Sequence, residues 1–136
     1  MLETLRKIVQ QVNAAENLPE ALDIIVERVR DAMGTEVCSV YMRDPKSGRL
    51  VFQATKGLNI KQVGTASLAP GEGLVGLVAE REEPVNLEDA ESHPSFQFLP
   101  DLGEERFHSF LGVPIIHQRE VLGVLVVQQG QRRRFD

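Results

Sequence analysis

Apolar residues recur along the first 33 positions at spacings of three and four: Leu2, Leu5, Ile8, Val9 and Val12, then Leu22, Ile25, Val26, Val29 and Met33. That period puts each set on one face of a helix, with Glu3, Arg6, Lys7 and Gln10 opposite the first stripe. Asn17 is suited to cap the second helix, Pro19 is tolerated in its first turn, and Glu20 completes a capping-box pattern. Gly34 suits the left-handed position that ends it. From Glu36 to Arg43 the pattern changes to β-branched and aromatic residues. Asp44-Pro45-Lys46-Ser47-Gly48 is turn chemistry before Leu50 to Lys56, so two antiparallel strands are predicted.

Beyond them, 57–64 reads as a loop, Thr65 to Ala69 as a short strand, and Pro70-Gly71-Glu72-Gly73 as a turn leading into a helix from Leu74 to about Arg81. Pro84 to Leu87 begins another strand. Glu88 to Glu105 holds Pro94, Pro100 and Gly103 without a sustained period, which predicts a long irregular loop with one helical turn at most. Phe110 to Ile116 and Val121 to Gln129 form a hairpin around His117-Gln118-Arg119-Glu120. Its strands are apolar nearly throughout, so both faces of the sheet need cover. The amino-terminal helices can cover one face; the helix at Leu74 and the loop after it are left for the other, where a loop-built roof is a natural place for a pocket. The fold class is α+β, with helices segregated around an antiparallel sheet of about five or six strands.

Composition narrows the functions. A chain of 136 residues, 42% hydrophobic and 26% charged, fits one compact domain and is too short for a regulatory unit plus a catalytic one. A formal net charge of −5 repels a phosphate backbone, and the one dense basic run is Arg132-Arg133-Arg134, so no nucleic-acid partner is expected. No apolar stretch reaches the ~20 residues needed to cross a bilayer and no signal peptide is legible, which predicts a cytoplasmic protein without a membrane partner. The single cysteine, Cys38, excludes an internal disulfide and a four-thiolate metal site; in an apolar strand it reads as a buried, inert thiol.

The run Pro70-Gly71-Glu72-Gly73-Leu74-Val75-Gly76-Leu77-Val78-Ala79-Glu80, followed by Glu83-Pro84-Val85-Asn86-Leu87, Phe110-Leu111-Gly112-Val113-Pro114-Ile115 and Val121-Leu122-Gly123-Val124-Leu125, resembles the GAF family. The start Leu5-Arg6-Lys7-Ile8-Val9-Gln10, the strand Val37-Cys38-Ser39-Val40-Tyr41, Thr55-Lys56-Gly57-Leu58-Asn59, Arg81-Glu82-Glu83-Pro84, His93-Pro94 and Ser109 to His117 are similar to the amino-terminal domain of the nitrogen-related enzyme I family of bacterial phosphoenolpyruvate-protein phosphotransferases. The resemblance implies a single GAF domain over 1–136, cut from a longer chain before a closing helix. It also implies phosphohistidine and catalytic domains downstream, magnesium in the parent enzyme but no cofactor here, and homodimer formation through terminal helices. Catalytic residues are expected to lie outside this segment, and the implied role is sensing a nitrogen metabolite such as glutamine or 2-oxoglutarate.

Recognition of an amino acid or keto acid needs donors for a carboxylate and an acceptor for an ammonium. Ser39 and Tyr41 share one face of their strand, Ser109 begins the closing hairpin, and Glu88, Asp89, Ser92, His93, Phe96 and Arg106 lie in or beside the roof loop; these nine are the candidate ligand-binding residues. His93, His108 and His117 do not match the threonine-serine-histidine context of the family's phosphorylated histidine, and no pair has helical metal-ligand spacing. Gly71-Glu72-Gly73 lacks the spacing and lysine of a phosphate loop. Two other readings stay open: a dimerising module filled by its own side chains, and, more distantly, an enzyme of the free methionine sulfoxide reductase type.

Overall fold

The computed structural model describes residues 18–96, 107–131 and 135. The predicted first helix and Arg106 lie outside them. Helix α1 spans Leu18–Met33 and buries the predicted stripe of Leu22, Ile25, Val26, Val29 and Met33. Gly34 follows at φ 63°, the left-handed conformation that a side chain would resist. The strands are β1 (Val37–Arg43), β2 (Leu50–Lys56), β3 (Ser67–Leu68), β4 (Val85–Leu87), β5 (Ser109–His117) and β6 (Glu120–Gln129), with helix α2 (Gly73–Arg81) between β3 and β4. They form one sheet in the order β3-β2-β1-β6-β5-β4, antiparallel at every pairing. Among the described residues the predicted α+β architecture stands; the helical turn expected in the loop after β4 is the 3-10 turn Ala90–Ser92, and a further one lies at Ile60–Gln62.

Alternation along the strands sorts the core into two layers. Cys38, Val40, Leu111, Val113, Ile115, Leu125 and Val127 pack with α1, and Phe135 joins this layer. Tyr41, Leu50, Phe52, Phe110, Val124 and Val126 pack with Leu74, Val75 and Val78 of α2. A register break carries β2 from one layer to the other: Tyr41 pairs with Phe52 but Val40 with Ala54, which leaves Gln53 as an extra residue. Leu50 and Phe52 therefore face α2, while Ala54, two further on, faces α1.

The turn before α2 is held from several sides. Gly71 N–H donates to the Gly76 carbonyl at 2.9 Å, Glu72 N–H to the Ala69 carbonyl at 3.0 Å, and the Glu72 carboxylate accepts from Ala69 N–H at 3.2 Å. Arg49 reaches from the neighbouring hairpin, donating to Ser67 Oγ at 2.8 Å and lying 3.9 Å from the Glu72 carboxylate. These contacts fix where the helix begins and which way its first turn faces.

Candidate ligand cavity under the α2 roof

The α2 side of the sheet contains a small cavity lined by Tyr41 of β1, Gln128 of β6, Phe110 of β5, Leu68 of β3, the first turn of α2 (Gly73, Leu74, Val75) and the roof residues Ala90, Phe96 and Phe107. Its volume is about 20 Å³, room for about one water molecule. The Tyr41 and Phe52 rings meet at 5.3 Å between centroids and stiffen its floor. Gln128 is buried, a polar side chain placed beside Val124 and Val126 by strand alternation.

The first turn of α2 opens onto this space. Glu72 occupies the cap position and makes no side-chain cap bond, its carboxylate being turned back to Ala69. The leading amides of a helix have no partner within the helix and carry its positive end, so this wall attracts an anion or carbonyl oxygen. Among the described lining residues no side chain is ionisable except the Tyr41 phenol.

Of the nine residues picked from sequence, Tyr41 and Phe96 line the cavity. Ser39 lies on the same face of β1, fully buried, with its hydroxyl 2.9 Å from Thr55 Oγ1. Ser109 alternates with Leu111 and so points to the α1 side; its hydroxyl donates to the carbonyls of Glu88 and Gln131. Glu88 and Ser92 are exposed, and Ser92 Oγ donates to Asp89 Oδ2 at 2.7 Å. His93 Nδ1 accepts Ser95 N–H at 3.0 Å, which shapes the roof from within. Asp89 and Glu91 flank His108, whose Nδ1 is 3.9 and 3.8 Å from their carboxylates. Arg106 lies outside the described residues. Sequence reasoning missed Gln128, Phe107, Phe110 and the amides of α2; the period of two through Val124, Val126 and Gln128 is the signal that could have found the glutamine.

A family model for the GAF domain matches residues 17–136. The chain belongs to the GAF domain family. The solved GAF domain of a phosphoenolpyruvate-protein phosphotransferase from Coxiella burnetii is 52% identical, superposes with a TM-score of 0.86, and the match covers 99% of this chain and 80% of that one. The domain is also 52% identical, over its whole length, to a protein of the phosphoenolpyruvate-dependent phosphotransferase system of Escherichia coli K12, of which it spans 18%. The Azotobacter vinelandii nitrogen fixation protein AnfA is 25% identical over 95% of this chain and 25% of its own length.

Two further features bear on chemistry. A shallower groove of about 220 Å³ lies at the other end of α2, lined by Arg43, Leu50, Pro70, Ala79, Glu82, Arg119, Glu120 and Val121; all four of its charged side chains are exposed. Cys38 is buried in the α1 layer of the GAF domain, behind the sheet from the cavity. Burial pushes its thiol far above the ordinary cysteine range, only partly offset by the charge of Arg30. Among the described residues, no three His, Cys, Asp or Glu side chains cluster so as to hold a metal, and no helix is long and apolar enough to cross a membrane.

Proposed function

We propose that this GAF domain is the ligand-responsive regulatory unit of a phosphoenolpyruvate-protein phosphotransferase, with the cavity under α2 as the seat of a small nitrogen metabolite. The observation that carries the reading is the meeting of an uncapped helix start with two polar side chains, Tyr41 and Gln128, in an otherwise apolar cavity. The helix amides suit one carboxylate. Gln128 places a side-chain amide in the cavity wall, a group of the same kind as the side-chain amide of glutamine. 2-Oxoglutarate fits less well, because its second carboxylate would meet no cation among the described lining residues, whereas the ammonium of glutamine needs only an uncharged oxygen as acceptor.

A volume of about one water means that a ligand is admitted only when the roof of Ala90, Phe96 and Phe107 moves. Binding then selects a second conformation, as signalling requires. The effect is passed to phosphohistidine and catalytic domains of the same protein, where magnesium-dependent phosphoryl transfer takes place. The name of AnfA, a nitrogen fixation protein, agrees with a nitrogen signal.

The same small volume favours a second reading, a dimerising module whose interior its own rings fill. A thiol-based enzyme is disfavoured because Cys38 is buried, held in its protonated form and separated from the cavity by the sheet. Isothermal titration with glutamine, then 2-oxoglutarate, with glutamate as control, separates the first two. Saturable heat with glutamine, lost in Gln128→Leu, is the expected result. Absence of heat and of any thermal shift with all three favours the dimerising module.

A further inference from the structure

We propose that Asn86 is the coupling residue of the domain, joining the cavity roof to the carboxyl-terminal junction at Phe135. The proposal rests on the regulatory reading above and adds the route by which movement of the roof leaves the domain. Strand β4 is three residues long and lies at the edge of the sheet, paired to β5 through Val85↔Gly112, Asn86↔Leu111 and Leu87↔Phe110. Val85 and Leu87 pack into the α2 layer, where Leu87 is paired with the cavity-lining Phe110. Asn86, between them, points to the opposite side by alternation.

There its side-chain amide grips the backbone of Phe135 at two points. Phe135 N–H donates to Asn86 Oδ1 at 3.2 Å, and Asn86 Nδ2 donates to the Phe135 carbonyl. The Phe135 ring is buried in the α1 layer, so the chain is anchored by both side chain and backbone. Directly after β4 the chain becomes the roof: Glu88 and Asp89 lead into the turn Ala90–Ser92, and Ala90, which lines the cavity, donates its N–H to the His108 carbonyl at 2.6 Å. A displacement of Ala90 therefore pulls on a short edge strand whose only inward-facing residue on the α1 side holds Phe135. Consecutive residues on opposite faces of one strand move together, and a two-point amide grip transmits that movement where one bond would swivel. Asn86 is thus a positioning residue and needs no contact with ligand.

The test needs no ligand, so its failure is distinct from failure of the binding reading. Ala90→Leu overfills the roof, and Leu87→Ala loosens the same strand if the first variant does not fold. Amide hydrogen exchange is read at Phe135, at the roof amides of His93 and Phe96, and at Val40 in β1. The expected result is that Ala90→Leu lowers protection at Phe135 about tenfold, the scale of one hydrogen bond, leaves Val40 unchanged, and has no additional effect at Phe135 in an Asn86→Ala background. Protection at Phe135 that is unmoved while His93 and Phe96 respond overturns the proposal. Effects of Ala90→Leu and Asn86→Ala that simply add overturn it as well, since additivity means two independent sites.

Discussion

Under α1 the sheet presents Val40, Leu111, Val113, Ile115, Leu125 and Val127, aliphatic side chains that interlock with the stripe of Leu22, Ile25, Val26, Val29 and Met33. Under α2 the same strands present the rings of Tyr41, Phe52 and Phe110 together with Leu50, Val124 and Val126, and Ser39, Thr55 and Gln128 are buried among them. Branched aliphatic chains fill space at many small contacts and tolerate no gap. Rings and hydrogen-bonding groups fit fewer ways, and on this side they leave a cavity next to the start of a helix. One face of the sheet is thus closely packed, and the other leaves a cavity of about 20 Å³ beside the first turn of α2.

The comparison breaks first if the α1 layer proves dispensable. Ile115→Ala removes a side chain that is 1% exposed in that layer and is expected to cost about 2–5 kcal/mol in urea unfolding. Gly123→Ala tests the sheet that both faces share, because a Cβ there would lie 2.2 Å from the Tyr41 carbonyl oxygen and force β6 from β1. A loss of about 1–3 kcal/mol is expected, with both layers disturbed in amide spectra.

On the α2 side, Thr55→Val leaves the Ser39 hydroxyl buried without its 2.9 Å partner and should cost about 1–3 kcal/mol. Adding Ser39→Ala to that variant should recover the part due to the unpaired hydroxyl, but not the bond that Leu58 N–H donates to Thr55 Oγ1 at 3.3 Å. Phe96→Ala, in the half-buried roof, is expected to cost less than about 1 kcal/mol while enlarging the cavity. A loss equal to that of Ile115→Ala would erase the distinction between the faces.

The smallest effect lies outside both layers, in the turn between β1 and β2. Asp44 accepts from Ser47 Oγ at 2.9 Å and from Lys46 N–H at 3.2 Å, and these bonds hold its carboxyl below the ordinary carboxylate range. A depressed folded-state value means that its contribution is present above about pH 4, the unfolded carboxylate value, and is lost as pH falls through the lowered one. The stability difference between the native protein and Asp44→Ala should therefore be small at neutral pH and vanish in acid.

Much of this division was legible in the sequence. The period of three and four through Leu22 to Met33 marked the face that α1 buries, and the apolar hairpin strands signalled that the sheet needs two covers. Ser39 and Tyr41 could be placed together because strand alternation is local. The extra residue Gln53 could not be read, because only the pairing of Val40 with Ala54 reveals it. The roof was harder still: polar loop residues were natural candidates for a binding site, yet Glu88 and Ser92 face solvent. Beside the expected Tyr41 and Phe96, the walls come from Phe107, Phe110, Gln128 and the first turn of α2, whose side-chain pattern reads only as core.

The most direct measurement of the central claim is a map of amide chemical shifts as glutamine is added to saturation. The account predicts shifts concentrated at Tyr41, Gly73, Leu74, Val75 and Gln128, with Val26, Val29 and Cys38 of the α1 layer silent. Shifts centred instead on Arg43, Glu82 and Arg119 in the open groove, or none anywhere, would contradict it.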